Sequence, residues 1–388
     1  MTATTPVALF LTTCSLLLCG CATVRTTPQT AADLPAEGSI KHFLGEPQFD
    51  EQQVFKGDRF PNIVTAVDGT VLNVWGGVQL RRSEDGGKTW GPTIPINKGL
   101  MSGGVTVDET TGRIWAFVEQ KHPPAPYSAH VSDDHGKTWT QTEISITPNS
   151  LGHLPAMHMN EHGITLRHGK YAGRIIRASR YYGITNQRNE WPDHYTNAIY
   201  SDDHGDTWKT SEPFPAKGTG EATIAELSDG TLYYNSRRHW APEGESPLRR
   251  WTATSTDGGH TWNNLTFCET LPDGDQGRSY GLMAGLTRLP VTGQDILIFS
   301  NIISPKNREN GFVWASFDGG KTWPIKRRVT KGPFAYSSLT CGRPGTPSEG
   351  WIYLSYENKG SQVARFNLSW VLEGEPTNNG TVPDWAHL

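Results

Sequence analysis

The chain has 388 residues, with 35 basic and 39 acidic side chains, and it contains 42 glycines, 26 prolines and 14 tryptophans. The charges are nearly balanced and form no long run of one sign, which excludes a protein that binds nucleic acid through a basic surface. We find no long amphipathic pattern with a period of 3.6 residues, so the composition favours many short strands joined by turns.

The N-terminal segment is apolar over residues 7–21 and is too short to span a membrane as a helix. It ends in "LCGC", which resembles a bacterial lipobox and implies cleavage followed by lipidation of Cys21. An ordinary cleaved signal peptide is the alternative, because no lysine or arginine precedes the apolar stretch. Residues 22–40 are rich in Thr, Ala and Pro and are expected to form a flexible linker.

We therefore predict a signal peptide over residues 1–21 and a folded domain over residues 41–388. The protein is expected to be exported from a bacterial cell, to the periplasm, the outer membrane or the cell surface. Its only attachment to the membrane would be the lipid anchor.

Only two cysteines, Cys268 and Cys341, lie in the predicted folded domain. They are too few for a disulfide framework, so one disulfide and two buried thiols remain alternatives. No group of residues has the spacing of metal ligands. The sequence therefore predicts neither a metal nor a cofactor.

A motif of eight residues recurs five times along the chain. The copies are "SEDGGKTW", "SDDHGKTW", "SDDHGDTW", "STDGGHTW" and "SFDGGKTW", which begin at Ser83, Ser132, Ser201, Ser255 and Ser316. Intervals of 49 to 69 residues are typical of a repeated supersecondary unit such as a propeller blade. Asp and Gly favour a tight turn, and the Trp can pack over the blade. One active site cannot use five equivalent aspartates around a ring, so the repeat is predicted to be scaffold.

These motifs resemble the Asp-boxes of the sialidases (neuraminidases), and their arrangement is similar to the six-bladed β-propeller of that family. The resemblance covers residues 54–357 and implies an all-β fold whose last blade lacks a box. That blade is expected to hold "YSSLTCG" and "GWIYLSYE" and to be closed by an N-terminal strand near "QQVFK". Asp-boxes also occur in lyases, sorting receptors and binding modules, so the function has to be argued from the site.

The predicted blade geometry says where a site would lie. A blade has four antiparallel strands, A to D from the axis to the rim, and the Asp-box forms the turn between C and D. The loops between B and C and the starts of the A strands therefore share the opposite face. Six polar residues fall at these places, namely Arg59, Glu221, Arg237, Arg308, Tyr336 and Glu357.

Three of these residues are arginines, and three arginines that converge on one point suit a substrate carboxylate, because guanidinium groups bind carboxylates with fixed geometry. The resemblance implies that Arg59, Arg237 and Arg308 bind the carboxylate of a sialic acid. Arg59 lies in "GDRFPN", which resembles the Arg-Ile-Pro motif of sialidases with Phe60 in place of Ile.

The other three residues would perform and support the chemistry. The resemblance implies that Tyr336 is the nucleophile, that Glu221 is its base, and that Glu357 orients Arg59. A neutral tyrosine avoids the repulsion that a carboxylate nucleophile would meet from the carboxylate of the substrate.

The segment "HGITLRHGKYAGRIIRASRYYG" resembles the third blade of sialidases. It places His162 at the start of an A strand, and Tyr181 with Tyr182 at the end of a B strand. These side chains could contact the glycerol or N-acyl arm of the sugar. Aromatic packing at the end of the blade is the alternative.

The first B–C loop departs from the family pattern. In sialidases this loop is long and carries an aspartate that acts as acid and base, whereas "LNVWGGVQLR" joins the two strands here through Gly76 and Gly77. A proton donor would have to come from elsewhere on the same face. The candidates are Asp58, His122, His158 and His162.

Among these candidates the histidines are attractive because the unperturbed pKa of histidine is about 6.5. His162 is favoured because its predicted position is nearest the axis. A role for His162 in hydrogen bonding to the sugar alone is the alternative.

The sequence thus predicts a monomeric, exo-sialidase-like retaining glycoside hydrolase that removes terminal sialic acid, or a related 2-keto sugar acid, from sialylated glycans. A non-catalytic propeller that binds sugar acids and a polysaccharide lyase acting on uronic-acid polymers are the alternatives. The pairing of Tyr336 with Glu221 favours turnover, because a binding module needs no nucleophile.

Overall fold

The computed structural model describes residues 1–2, 34–76, 78–101, 104–274 and 281–387. The predicted signal peptide with Cys21, and residues 22–33 of the predicted linker, lie outside these ranges. Within them, no helix has the length and apolar character that a membrane span requires.

The described chain forms six sheets that are arranged as the blades of a propeller, and their strand pairs are antiparallel except for one parallel pair at the rim of the third blade. A 3-10 helix over Ile40–Phe43 precedes strand β1 (Phe49–Lys56). Blade I contains β2 (Pro61–Thr65), β3 (Val71–Trp75), β4 (Gln79–Ser83) and β5 (Ile94–Pro95). Blade II contains β6 (Leu100–Met101), β7 (Thr106–Val107), β8 (Ile114–Glu119), β9 (Tyr127–Ser132) and β10 (Thr140–Thr142).

Blades III and IV follow. Blade III contains β11 (Ser145–Thr147), β12 (Ile164–Thr165), β13 (Ile175–Tyr181), β14 (Tyr195–Ser201) and β15 (Thr207–Thr210), with 3-10 helices over Gly169–Tyr171 and Arg188–Asp193. Blade IV contains β16 (Thr219–Glu226), β17 (Leu232–Arg238), β18 (Arg249–Ser255) and β19 (Asn263–Pro272).

The last two blades complete the ring. Blade V contains β20 (Gly285–Arg288), β21 (Leu297–Ile302), β22 (Glu309–Ser316) and β23 (Ile325–Pro333). Blade VI contains β24 (Ser337–Cys341), β25 (Ile352–Glu357) and β26 (Gly360–Phe366). A short helix α1 (Leu368–Leu372), strand β27 (Glu375–Pro376) and a 3-10 helix over Asp384–His387 follow, and β27 pairs with the outer strand of blade V.

The N-terminal strand closes the ring. β1 pairs antiparallel with β26, from Phe49 opposite Phe366 to Lys56 opposite Gly360, so the sheet order of blade VI is β1-β26-β25-β24. This pairing covers the outer edge of β26, which would otherwise be open to other chains. The predicted all-β fold with six blades and N-terminal closure is confirmed.

The cores lie between neighbouring blades. Blades I and II, for example, share a cluster that includes Val64, Leu72, Val74, Ile114 and Ala116, each of which is buried. Strands that are covered on both faces read as continuous apolar runs, as in β3, where all five residues are buried. Cys268 and Cys341 are free thiols.

Each Asp-box folds on its own hydrogen bonds. In the first box, Asp85 Oδ1 accepts the amide of Thr89 at 2.9 Å, Asp85 Oδ2 accepts the Thr89 hydroxyl at 2.6 Å, and the Ser83 hydroxyl donates to Asp85 at 2.8 Å. Burial opposes the charge of Asp85, but these bonds lower its pKa to about 2. The same Thr-to-Asp bonds occur at Asp134, Asp203, Asp257 and Asp318. The five aspartates therefore hold turns.

The predicted linker ends in contact with the propeller. Gly38 donates its amide to Pro290, Arg167 donates to the carbonyl of Pro35, and Glu37 pairs with Arg288. Residues 35–38 are therefore packed against blades III and V.

Candidate active site

Tyr336 lies directly before β24, at one end of the propeller axis, and its side chain is 7% exposed. Its hydroxyl donates to Glu221 Oε1 at 2.8 Å and accepts from Nη1 of Arg237 at 3.2 Å. Glu221 is on β16 and Arg237 is on β17, so blade IV supplies both partners. The structure thus brings together the tyrosine and glutamate that the sequence paired.

The charges in this cluster are set by burial and by Arg237. Burial alone would raise the pKa of Glu221, but the ion pair and hydrogen bond with Arg237 lower it below its usual value. Burial, followed by the charge of Glu221, raises the pKa of Tyr336. At neutral pH the cluster therefore holds a neutral phenol hydrogen-bonded to an ionised carboxylate.

The other two predicted arginines face the ring of the same tyrosine. The guanidinium carbon of Arg59 lies 4.9 Å from the centroid of the Tyr336 ring, and that of Arg308 lies 5.0 Å from it. Across the described part of the chain, the Arg308 guanidinium makes no hydrogen bond or ion pair. The three arginines therefore converge around one side chain, and Arg308 retains its full hydrogen-bonding capacity for a ligand.

Glu357 holds Arg59 in this arrangement. It lies at the end of β25 and accepts from Nε and Nη2 of Arg59, each at 3.2 Å. It also accepts the amide of Phe60 at 3.0 Å. Phe60 has a φ of 78°, a conformation that is rare for an aromatic residue. The bonds to Glu357 stabilise this strained backbone and fix the direction of Arg59.

Tyr336, Glu221 and the three arginines line an open cavity of about 280 Å³. This volume is close to the lower end of the range for pockets that bind small molecules. The other walls come mainly from blades II, III and IV, and they consist of Phe60, His122, His158, Met159, Arg180, Tyr182, Asn186, Trp191 and His239.

His162 is not brought to this cavity. Its ring nitrogens contact the carbonyls of Gly163 at 3.0 Å and Leu339 at 2.8 Å, and it lines a separate cavity with Arg167, Arg288 and Arg343. Glu161, the residue before His162, is already packed between blades, because its amide donates to the carbonyl of Ala222 in blade IV. His162 therefore lies deeper along the axis than its sequence pattern indicated.

Of the two adjacent tyrosines predicted at the end of a strand in blade III, only one faces the cavity. Tyr182 is 4% exposed and lines the cavity. The ring of Tyr181 stacks on His153, with centroids 3.9 Å apart, and on Tyr195 at 5.2 Å, outside the cavity lining. The alternative of aromatic packing therefore describes Tyr181.

Two of the three remaining candidate proton donors line the cavity and one does not. His122 and His158 line the cavity, with ring centroids 4.8 Å apart. His158 is only 3% exposed, whereas His122 is exposed. Asp58 is not part of the lining; its Oδ1 accepts the amide of Arg59 at 2.8 Å.

Gly76 begins the short turn between β3 and β4. It has a φ of 62°, and a Cβ there would lie 2.2 Å from Oδ2 of Asp58, so a side chain at this position would require Asp58 to move. The left-handed backbone and the close carboxylate together favour glycine at this position.

Five wall residues were not predicted from the sequence, namely Met159, Arg180, Asn186, Trp191 and His239. Arg180 lies near the end of β13, the second strand from the axis in blade III, just as Arg237 lies near the end of β17, the second strand from the axis in blade IV. The rule that located Arg237 would also have located Arg180. No group of three or more His, Cys, Asp or Glu residues in the described ranges could hold a metal ion.

Fold and site together define a six-bladed Asp-box propeller that has, at one end of its axis, an arginine triad around a Tyr–Glu pair. Residues 76–346 match the BNR repeat-like domain family, and the chain belongs to this family.

Among curated proteins, the chain is similar to a sialidase of Micromonospora viridifaciens, with 33% identity over 394 residues that cover 88% of this chain and 57% of the relative. It is also similar to a sialidase of Bacteroides fragilis (strain YCH46), with 28% identity covering 76% of this chain and 60% of the relative. The chain thus spans about three fifths of the length of these two relatives.

Among solved structures, a Hadza microbial sialidase aligns with a TM-score of 0.63 and 24% identity, covering 81% of this chain and 66% of that one. The intramolecular trans-sialidase from Ruminococcus gnavus aligns with a TM-score of 0.59 and 17% identity, covering 82% of this chain and 96% of that one. At these identities, the structural likeness establishes the fold alone.

Proposed function

We propose that the protein is an exo-sialidase-like retaining glycoside hydrolase that releases terminal sialic acid, or a related 2-keto sugar acid, from sialylated glycans. The observation that carries the proposal is the Tyr336 hydroxyl, bonded to both Glu221 and Arg237 inside the arginine triad. The names of the curated relatives support the same class of enzyme.

Substrate binding would begin at the triad. The carboxylate on the anomeric carbon would bind between Arg59, Arg237 and Arg308, where charge-assisted hydrogen bonds also fix its orientation. Because all three arginines surround Tyr336, a carboxylate held by them brings the anomeric carbon next to the phenol.

The first chemical step follows from the proton positions. The Tyr336 oxygen attacks the anomeric carbon while its proton passes to Glu221 Oε1, and the bond to the aglycone oxygen breaks. Arg237 stabilises the charge that develops on the phenol oxygen. Water then attacks the glycosyl–tyrosine intermediate, and the group that protonated the aglycone takes the proton that this water loses. Glu221 returns its proton to the departing phenol oxygen, and two successive inversions retain the anomeric configuration.

We propose His122 as the group that protonates the aglycone oxygen, in place of the aspartate that the short β3–β4 turn lacks. It is exposed in the cavity wall, and its Nδ1 lies 3.2 Å from the carbonyl of Pro123. Nδ1 also lies 3.1 Å from the amide nitrogen of Asn186, which can only donate. In the neutral ring Nδ1 therefore accepts from Asn186 and Nε2 carries the proton, whereas in the protonated ring Nδ1 donates to Pro123 and Nε2 can give its proton to a ligand. Burial lowers the pKa of His122, so its donor form is populated on the acid side of neutrality.

A non-catalytic propeller that binds sugar acids is the second candidate, because the β3–β4 turn has no acidic side chain. Two substrates distinguish these functions. An aryl sialoside has a good leaving group and requires little protonation, whereas sialyllactose requires a donor. Cleavage of either, with NMR detection of the α-anomer as first product, supports a retaining hydrolase. Binding of sialic acid without cleavage of either supports the binding module.

We further propose that the chain is exported, lipidated at Cys21 and monomeric. The support is the lipobox-like sequence, which lies outside the described residues. Mass spectrometry of the membrane fraction should detect a lipidated N-terminal cysteine, and Cys21→Ala should move the protein to the soluble fraction. If Cys21→Ala leaves the distribution of the protein between membrane and soluble fractions unchanged, lipidation at this residue is refuted. Size-exclusion chromatography with light scattering would test whether the protein is a monomer.

A further inference from the structure

Arg180 is a fourth arginine in the cavity, outside the triad. It lies at the end of β13 and is 3% exposed, yet it lines the cavity. Its Nη2 lies 2.9 Å from Nδ1 of His194 and 3.1 Å from Nδ1 of His239, and its guanidinium carbon is 4.2 Å from the centroid of the Tyr182 ring. These three contacts involve neutral ring groups.

The charge of Arg180 has no counter-ion among the described residues. Its Nε is buried without a hydrogen-bond partner, and no described carboxylate lies within ion-pair distance. Two neighbouring buried arginines are paired, Arg237 with Glu221 and Arg250 with Asp273. A buried cation without a partner is costly, so its presence in a cavity wall points to a ligand that supplies the missing charge.

The histidines beside Arg180 accept its hydrogen bonds without adding charge. Burial, and then the charge of Arg180, lower the pKa of His194 to about 4. Burial, followed by the charges of Arg237 and Arg180, holds the pKa of His239 well below its usual value. Both rings are therefore neutral at pH 7, and their Nδ1 atoms can orient the guanidinium.

The charges of the whole cavity lead to the same conclusion. Four arginines line it, and the carboxylates that contact them are Glu221 and Glu357. One substrate carboxylate, bound by the triad, compensates only one of the two surplus positive charges. The cavity is thus more positive than a monoanionic sugar requires.

The cavity extends beyond Arg180. The backbone of Gly220 packs closely on one side of its guanidinium, where a Cβ would lie only 3.2 Å from Nη1, so a ligand has to approach from the cavity side. Past Trp191 and His239 the cavity continues into a groove bordered by Trp240. A long substrate arm could therefore extend along the wall that contains Arg180.

We infer that Arg180, held by His194 and His239, forms a second anion subsite, and that the substrate is a sugar acid with a sulfate or phosphate ester at the end of its side arm. This inference rests on the proposed function for the first anion, which the triad binds. The guanidinium would donate from Nη1 and Nε to the ester oxygens, with some rearrangement of the buried Nε.

The test compares the affinities of the full-length protein for N-acetylneuraminic acid and for its 9-phosphate, by calorimetry. We expect the affinity of the wild type for the 9-phosphate to be about ten-fold or more above its affinity for the parent sugar, which is the contribution of one charge-assisted contact. Arg180→Gln should abolish this preference, so that the ratio of the two affinities falls to about one. Arg328→Gln, which removes an exposed charge from β23, the outer strand of blade V, is the matched control and should keep the preference.

The failures are distinguishable. If the wild type binds both sugars equally, or if Arg180→Gln weakens both equally, the second subsite is refuted and the triad stands. If neither sugar binds to the wild type, or if Arg308→Gln leaves the affinity for N-acetylneuraminic acid unchanged, the proposed function fails.

A crystal soaked with selenate then tests the subsite without any sugar. Anomalous selenium density beside Nη1 of Arg180, absent in Arg180→Gln crystals, would support the subsite. Density at the triad alone would refute it.

Discussion

Replacing Tyr336 with phenylalanine tests the nucleophile while it leaves the rest of the site in place. The change removes only the hydroxyl, with its bonds to Glu221 at 2.8 Å and to Arg237 at 3.2 Å. The ring face on which Arg59 and Arg308 lie, about 5 Å from its centroid, is retained. The arginine triad should therefore keep its geometry, and the defect should appear in kcat, with little change in KM.

The magnitudes follow from these contacts. Loss of a covalent nucleophile should lower kcat by about 10³-fold or more, as in other enzymes in which such a group is removed. Stability should fall by only about 1–2 kcal/mol, because Glu221 and Arg237 still compensate each other and only the bonds of one hydroxyl are lost. For a domain of this size that corresponds to a decrease in Tm of a few degrees.

The assay uses an aryl sialoside for the kinetics, circular dichroism for the fold, and a mechanism-based fluorinated sialoside for covalent labelling. Peptide mapping should locate the label on Tyr336. A phenylalanine variant with more than a tenth of the wild-type kcat, or a label on another residue, would refute the assignment.

Further outcomes follow from the same contacts. Arg308→Lys should lower kcat/KM by about ten-fold or more, because the point charge of lysine cannot replace the planar guanidinium group. Its Tm should not change, because Arg308 forms no ion pair with a described residue. An unchanged kcat/KM would remove Arg308 from the triad. His122→Ala should impair cleavage of sialyllactose but spare cleavage of an aryl sialoside. In the wild type we expect the rate of sialyllactose cleavage to rise as pH falls towards the lowered pKa of His122, and the variant should lose this rise. Equal loss of activity on both substrates would assign His122 to binding. Because the folded-state pKa of Asp85 is lowered to about 2, its stabilisation is present above the ordinary carboxyl pKa and is lost as pH falls towards 2. Asp85→Asn should therefore be less stable than the wild type at pH 7 and show a smaller decrease between pH 4 and pH 2 in urea titrations; parallel curves would contradict this account.

The repeat could be interpreted from the sequence because its folding is local. The carboxylate of Asp85 bonds to Ser83 and Thr89, so the whole motif lies within a few residues of itself. Five such turns at intervals of this length indicate blades. The strand near "QQVFK" has no Asp-box of its own, so it could be assigned to closing the ring. The structure confirms the fold for this reason.

The six polar residues at the blade ends could also be placed, because strand order alone decides which end of a blade a residue occupies. Arg59 and Glu357 come from opposite ends of the chain, yet both follow from this rule. What the rule leaves open is depth along the axis. The position of His162 depends on how Glu161 packs against Ala222 and Leu339 of other blades.

The positive wall around Arg180 is the part of the site that only the tertiary structure decided. His194 and His239 belong to different blades, and neither lies in a motif that indicates contact with a guanidinium. Their Nδ1 atoms meet Nη2 of Arg180 because blades III and IV pack side by side around the axis. Sequence patterns encode hydrogen bonds between near neighbours in the chain, whereas the sum of charges in a cavity depends on groups that only ring closure brings together.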